Sequence, residues 1–151
     1  ELRCVQDKAL LGLSEQMMPR YAKLYPKLKS DSRFLYNYAI AQYEAGRYEE
    51  ALATVRECRR RLADYNLSLL EGNVLDALCR YADAECCYHR AHNMCPSRFA
   101  PLYAIFNVRM ERGDTVSARR IGREILDKPI KVRSLETVEM IDDVRQRIIK
   151  Q

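Results

Sequence analysis

No apolar run in these 151 residues approaches the roughly 18 to 20 that a membrane-spanning helix needs, which excludes a transmembrane helix within the stretch. The N-terminus ELRCVQDKALLGL lacks the basic region and cleavage site of a signal peptide. An initiator Met is missing too, and the chain opens inside a helical pattern, so it reads as a segment of a longer protein; any export signal or membrane span would then lie upstream. Nucleophile elbows, phosphate loops and zinc-protease motifs are absent. The pattern supports neither an enzyme nor a cofactor within this segment.

A hydrophobic content of 48% beside 31% charged residues is ordinary for a globular chain with one continuous core, and it argues against disorder. The net charge of +5 is mild, giving weak attraction to polyanions without calling for a nucleic-acid partner. Cys4, Cys58, Cys79, Cys86, Cys87 and Cys95 are even in number, but their spacing follows helix packing, with no short-loop disulfide framework. Buried free thiols are the better reading, with Cys86 and Cys87 reactive only if exposed.

The stretch from Leu69 to Arg98 sets a period. Gly72 and Ala84 are small residues where two antiparallel helices must approach closely, Tyr88 and Ala91 continue the inner face, and Pro96 stops the second helix. Ala51, Ala84 and Ala118 lie 33 and 34 residues apart, as a stack of similar helix pairs requires. This resembles the tetratricopeptide repeat, with its period of about 34 residues and its fixed order of small, aromatic and proline positions. The resemblance implies an all-α, right-handed solenoid forming a single domain over 1–151, with repeats at about 1–31, 32–64, 65–98 and 99–131 and a capping helix at 134–150.

In the first repeat, Gly12 is expected to make the turn between helices at 2–11 and 15–28. Met17, Tyr21 and Leu24 would face inward, Pro19 would sit near a helix start, and Pro26 would bend or end the last turn. In the second, Leu35, Tyr38, Ala39 and Gln42 take positions 4, 7, 8 and 11 of the repeat, Gly46 makes the turn, and Ala51, Val55 and Cys58 form the inner face of the second helix. The fourth departs twice, with Phe106 at a small-residue position and Gly122 at an aromatic one; the two offset each other if the ring lies against the gap. Ser134 then caps a final helix whose stripe is Leu135, Val138, Ile141, Val144 and Ile148. About nine helices result.

Cys86, His89, His92 and Cys95 have pairwise chelate spacing, yet the set winds round the helix and cannot converge on one tetrahedral ion. Asp76 and Glu111 sit on amphipathic helices, where a solvated face explains them. The run Arg59, Arg60 and Arg61 reads either as a phosphate or acidic-lipid contact or as cations at a helix C-terminus. The second is preferred, because a polyanion site needs basic groups converging from separate elements.

Four stretches carry a narrower resemblance: KLYPKLKSDSRFLYNYA, GRYEEA, ADAECCYHRAHNMCPSRFAPLYAI and GDTVSARRIGREILDKPIKVRSLETVEMI. Together they look like the carboxy-terminal repeat region of O-antigen ligase or polymerase-related membrane proteins of Bacteroidetes. That implies a non-catalytic interaction scaffold at the cell envelope, tethered to the inner membrane by the upstream part and on the periplasmic rather than the cytoplasmic side. Its partner would be a protein or peptide, with components of lipid-linked glycan assembly as further candidates. The groove positions of the repeat fold on Tyr36, Ile40 and Tyr43, on Leu69, Asn73 and Asp76, and on Tyr103, Asn107 and Met110. Tyr36 and Ile40 replace the Lys and Asn of repeats that clamp a C-terminal carboxylate, which disfavours that ligand. Asn73 and Asn107 stand at equivalent positions, either to bond a bound backbone or to bond neighbouring helices. The alternative to the groove is polyanion or glycan-lipid binding through Arg59, Arg60 and Arg61 with Arg119, Arg120 and Arg123.

Overall fold

The computed structural model describes residues 2–150, with side chains from Gly12 onward. The described residues form eight helices and no strand: α1 Leu2–Leu28, α2 Ser32–Glu44, α3 Tyr48–Arg59, α4 Tyr65–Ala77, α5 Tyr81–Met94, α6 Ala100–Glu111, α7 Thr115–Asp127 and α8 Leu135–Ile149. From α2 onward they make three hairpins, α2/α3, α4/α5 and α6/α7. Neighbours pack in chain order, α2 also meets α4, and α6 also meets α8.

The period is written into the backbone. Asp31 caps α2 by accepting from the Arg33 and Phe34 amides at 2.8 and 3.0 Å, and Asp64 caps α4 through Asn66 and Leu67 at 2.8 and 3.2 Å. Each hairpin turn then repeats one bond, from Arg47 N–H to the Gln42 carbonyl, Arg80 N–H to Leu75 and Asp114 N–H to Arg109, at 2.8, 2.8 and 2.9 Å. The residue before each of these donors is left-handed: Gly46, Cys79 and Gly113, with φ of 74°, 58° and 76°. Cys79 thus holds a conformation that glycine holds in the other two turns, at a cost of about 1 kcal/mol to a residue with a Cβ.

Ala51, Ala84 and Ala118 are completely buried at the hairpin contacts, with Leu35, Ala39, Val55, Cys58, Val74 and Ala91 around them. In the second hairpin a Cβ on Gly72 would lie 2.4 Å from Cε1 of Tyr88, so the ring occupies the space that glycine leaves. The third hairpin reverses the pair. Phe106 supplies the ring, and a Cβ on Gly122 would lie 3.2 Å from its Cε2 and 2.4 Å from Cδ1 of Ile148, so the last helix shares in filling the gap.

Four expectations fail. Gly12 makes no turn, and α1 runs unbroken from Leu2 to Leu28, giving eight helices where about nine were expected. Helix formers surround Gly12, and one glycine among them costs only about 1 kcal/mol. Pro19 consequently lies mid-helix and not near a start, while Pro26 does fall in the last turn. Continuity also moves the buried stripe by one residue: Ser14 and Met18 are buried, whereas Leu24 is 45% exposed. In α8, Ser134 caps as expected by accepting from the Thr137 amide at 3.1 Å, but Leu135 at the first turn is 76% exposed, so it takes no part in the buried stripe.

Two variants test this packing. Cys79→Gly is expected to raise unfolding free energy by about 1 kcal/mol in denaturant titration; no gain would mean that the turn is unstrained. Gly72→Ala should cost on the order of 1 to 3 kcal/mol. Most of that loss should disappear when Gly72→Ala is made in a Tyr88→Leu background, and simple additivity would show that the two residues do not share one space.

Candidate partner-binding face

Tyr36, Ile40 and Tyr43 follow one another along α2 at intervals of four and three residues, which keeps them on one side of the helix. Leu69, Asn73 and Asp76 repeat the arrangement on α4, and Tyr103, Asn107 and Met110 on α6. All nine are half-buried. The apolar members rest against the core with one side and leave the other accessible, and burial raises the phenol pKa of Tyr36, Tyr43 and Tyr103.

The two asparagines are engaged within the fold. Asn73 Oδ1 accepts from the Tyr88 hydroxyl at 3.0 Å, and Asn107 Oδ1 accepts from Arg147 Nη1 at 2.5 Å. Tyr103 donates to Asp143 at 3.0 Å, and the Arg147 guanidinium lies 4.8 Å from the centre of the Phe106 ring. The third set of the row therefore sits against α8. Nor do the nine line one cavity. Ile40 opens onto a space of about 230 Å³ shared with Met17 and Tyr21 of α1, and Leu69 onto one of about 240 Å³ shared with Thr137 and Met140 of α8.

Asp76 differs from its expected solvated setting. Its half-buried carboxyl has a raised pKa, first from burial and then from the charge of Glu111, and no hydrogen bond or ion pair among the described residues answers it. Tyr43 and the buried Tyr88 lie close enough to feel its charge, so the first and second hairpins meet there.

The three arginines after Cys58 part company. Arg61 reaches the Glu57 carbonyl at 3.5 Å and the Glu57 carboxylate at 3.8 Å, which suits a cation at a helix C-terminus. Arg60 is exposed at the C-cap of α3. Arg59 turns to Glu71, donating at 3.0 and 2.8 Å, and Arg90 donates to the same carboxylate at 3.1 Å. Glu71 is only 2% exposed. The sequence reading missed it, although a Glu two residues from Asn73 must point to the opposite side of α4, into the stack. Among the other basic candidates, Arg119 is half-buried with its Nε unpartnered, while Arg120 and Arg123 are exposed.

Cys58, Cys79, Cys86, Cys87 and Cys95 are free thiols, and Cys4 lies outside the described side chains. Cys86 and His89 are exposed whereas Cys87 is buried, its thiol pushed up to about 11 first by burial and then by Glu71. That removes Cys87 from the reactive candidates. His92 is half-buried with Nδ1 unpartnered, and burial lowers its pKa. No three metal-ligating groups gather among the described residues, and none of the described helices is long and apolar enough to cross a membrane.

Compared with known proteins, the sequence matches no family model and no curated protein at a significant level.

The Asp76 environment makes a signed prediction. A carboxyl whose pKa is raised in the fold opposes folding once ionised, and that opposition vanishes below the ordinary carboxylate range. Asp76→Asn should raise the thermal midpoint at neutral pH, with the difference fading as pH falls through that range; a variant less stable at neutral pH would mean an unseen partner for the carboxylate.

Proposed function

We propose that the chain is a tetratricopeptide-type solenoid serving as a non-catalytic scaffold, and that the row from Tyr36 to Met110 holds an extended segment of a partner protein. The observation that carries this reading is the recurrence of half-buried residues at the same place in three successive hairpins, with the unanswered carboxylate of Asp76 among them. Tyrosines offer apolar area with a polar tip, and a charge held at a cost to stability is a common mark of a binding site. The partner's chemistry follows: apolar side chains for Tyr36, Ile40, Tyr43 and Leu69, and a Lys or Arg to meet Asp76.

The repeat assignment draws support from the spacing of the Asp31 and Asp64 caps, the three left-handed turns and the buried alanines. On the narrower resemblance, the parent protein is an O-antigen ligase or polymerase-like membrane protein of the cell envelope. Glycosyl transfer then belongs to its membrane part, and the segment bound here belongs to that assembly machinery.

Peptide display against the isolated chain tests the reading. Selected peptides are expected to share apolar residues and one cation. Tyr43→Ala and Asp76→Asn should each weaken the best of them by roughly 1 to 3 kcal/mol without unfolding the protein. Selected peptides that bind both variants as tightly as the parent would overturn it.

A further inference from the structure

A second surface is built on the other side of α4, from three segments that the row does not use. Between α3 and α5 lies a cavity of about 280 Å³ lined by Arg56, Arg59, Arg80 and Arg90, with Glu71 beneath and Asp83 and Cys86 at its edge. Four guanidiniums against two carboxylates leave two positive charges in excess. Glu71 orders the pair: its buried carboxylate holds Arg59 at 2.8 Å and Arg90 at 3.1 Å, while both side chains keep about two fifths of their surface open, 44% and 37%. Arg80 pairs only with the exposed Asp83, at 2.7 Å, and Arg56 has no ion-pair partner among the described residues.

Cations arriving from α3, from the turn before α5 and from α5 itself meet the requirement that a run on one helix end does not. Fixed guanidiniums match the geometry of tetrahedral oxyanions, and a buried carboxylate that immobilises two of them reduces the ordering cost of binding. Both Glu71 oxygens are already occupied, Oε1 by Arg59 and Oε2 by Arg59 and Arg90, so its charge is answered within the fold.

We propose that this cavity is a binding site for a phosphate or pyrophosphate group, with Arg56 and Arg80 as its adaptable contacts and the Arg59–Glu71–Arg90 triad as its fixed floor. This site is independent of the peptide-binding row. Its ligand is either a free phosphorylated molecule or the headgroup of an anionic lipid, which share that chemistry.

The test titrates inorganic pyrophosphate into the whole chain by calorimetry, alongside sedimentation with phosphatidylglycerol and phosphatidylcholine vesicles. Saturable pyrophosphate binding is expected, falling steeply as salt rises. Arg56→Gln with Arg80→Gln should weaken it by about tenfold or more at an unchanged thermal midpoint. Arg60→Gln with Arg61→Gln, neighbours outside the cavity, should leave it intact, and bound pyrophosphate should slow alkylation of Cys86 while leaving that of Cys79 unchanged. Sedimentation with phosphatidylglycerol alone, lost in the Arg56 and Arg80 variant, identifies a lipid headgroup; pyrophosphate binding without sedimentation identifies a free ligand. Absence of binding in both arms, or equal losses in the two double variants, would overturn the proposal, the latter by reducing it to diffuse surface charge.

Discussion

The close approach of α4 to α5 is the constraint on which the stack depends. Two helices joined by a three-residue turn pack tightly only if their facing side chains sum to a fixed volume, and here the sum is met by one glycine and one ring. Gly72 with Tyr88 and Phe106 with Gly122 are the same solution with the partners exchanged. What the hairpin conserves is the total, which is why an aromatic at a small-residue position in α6 does not break the pattern. Ile148 completes the second case, and so ties the terminal helix to the interior of the last hairpin.

Much of this architecture was legible because it is periodic. Ala51, Ala84 and Ala118 are recognisable from spacing alone, and all three are buried; Gly46 marks a turn that only a left-handed residue can make. The turn at Cys79 was not legible, since nothing in the residue's identity announces a positive φ. Gly12 misled for the opposite reason: glycine permits a turn without imposing one, and its helix-forming neighbours decided the outcome. The nine residues of the row could be placed from their register, and they do share a half-buried setting. That Tyr103 and Asn107 meet Asp143 and Arg147 could not be read, because those pairs lie 40 residues apart and depend on how α8 docks.

Charge is distributed unevenly about α4. On one side Asp76 stands unanswered near Glu111, and on the other Glu71 is surrounded by guanidiniums. Both carboxylates lose hydration, but they do so differently: buried Glu71 exchanges it for three charge-assisted hydrogen bonds from two arginines, whereas half-buried Asp76 exchanges part of it for none. A single helix thereby separates an electronegative spot from an electropositive one, and a mild net charge conceals the difference.

The docking of α8 has a consequence for how the molecule is read by anything that approaches it. Tyr103, Asn107 and the Phe106 ring are engaged by Asp143 and Arg147 of the same chain, so under the proposed function α8 would be a tethered competitor for the last third of the row. On that reading, a ligand confined to α2 and α4 would not meet α8. One long enough to reach α6 would first have to displace it, and its apparent affinity would be reduced accordingly. The last helix would then work as a ruler, setting the length of segment that the proposed scaffold accepts without a conformational threshold.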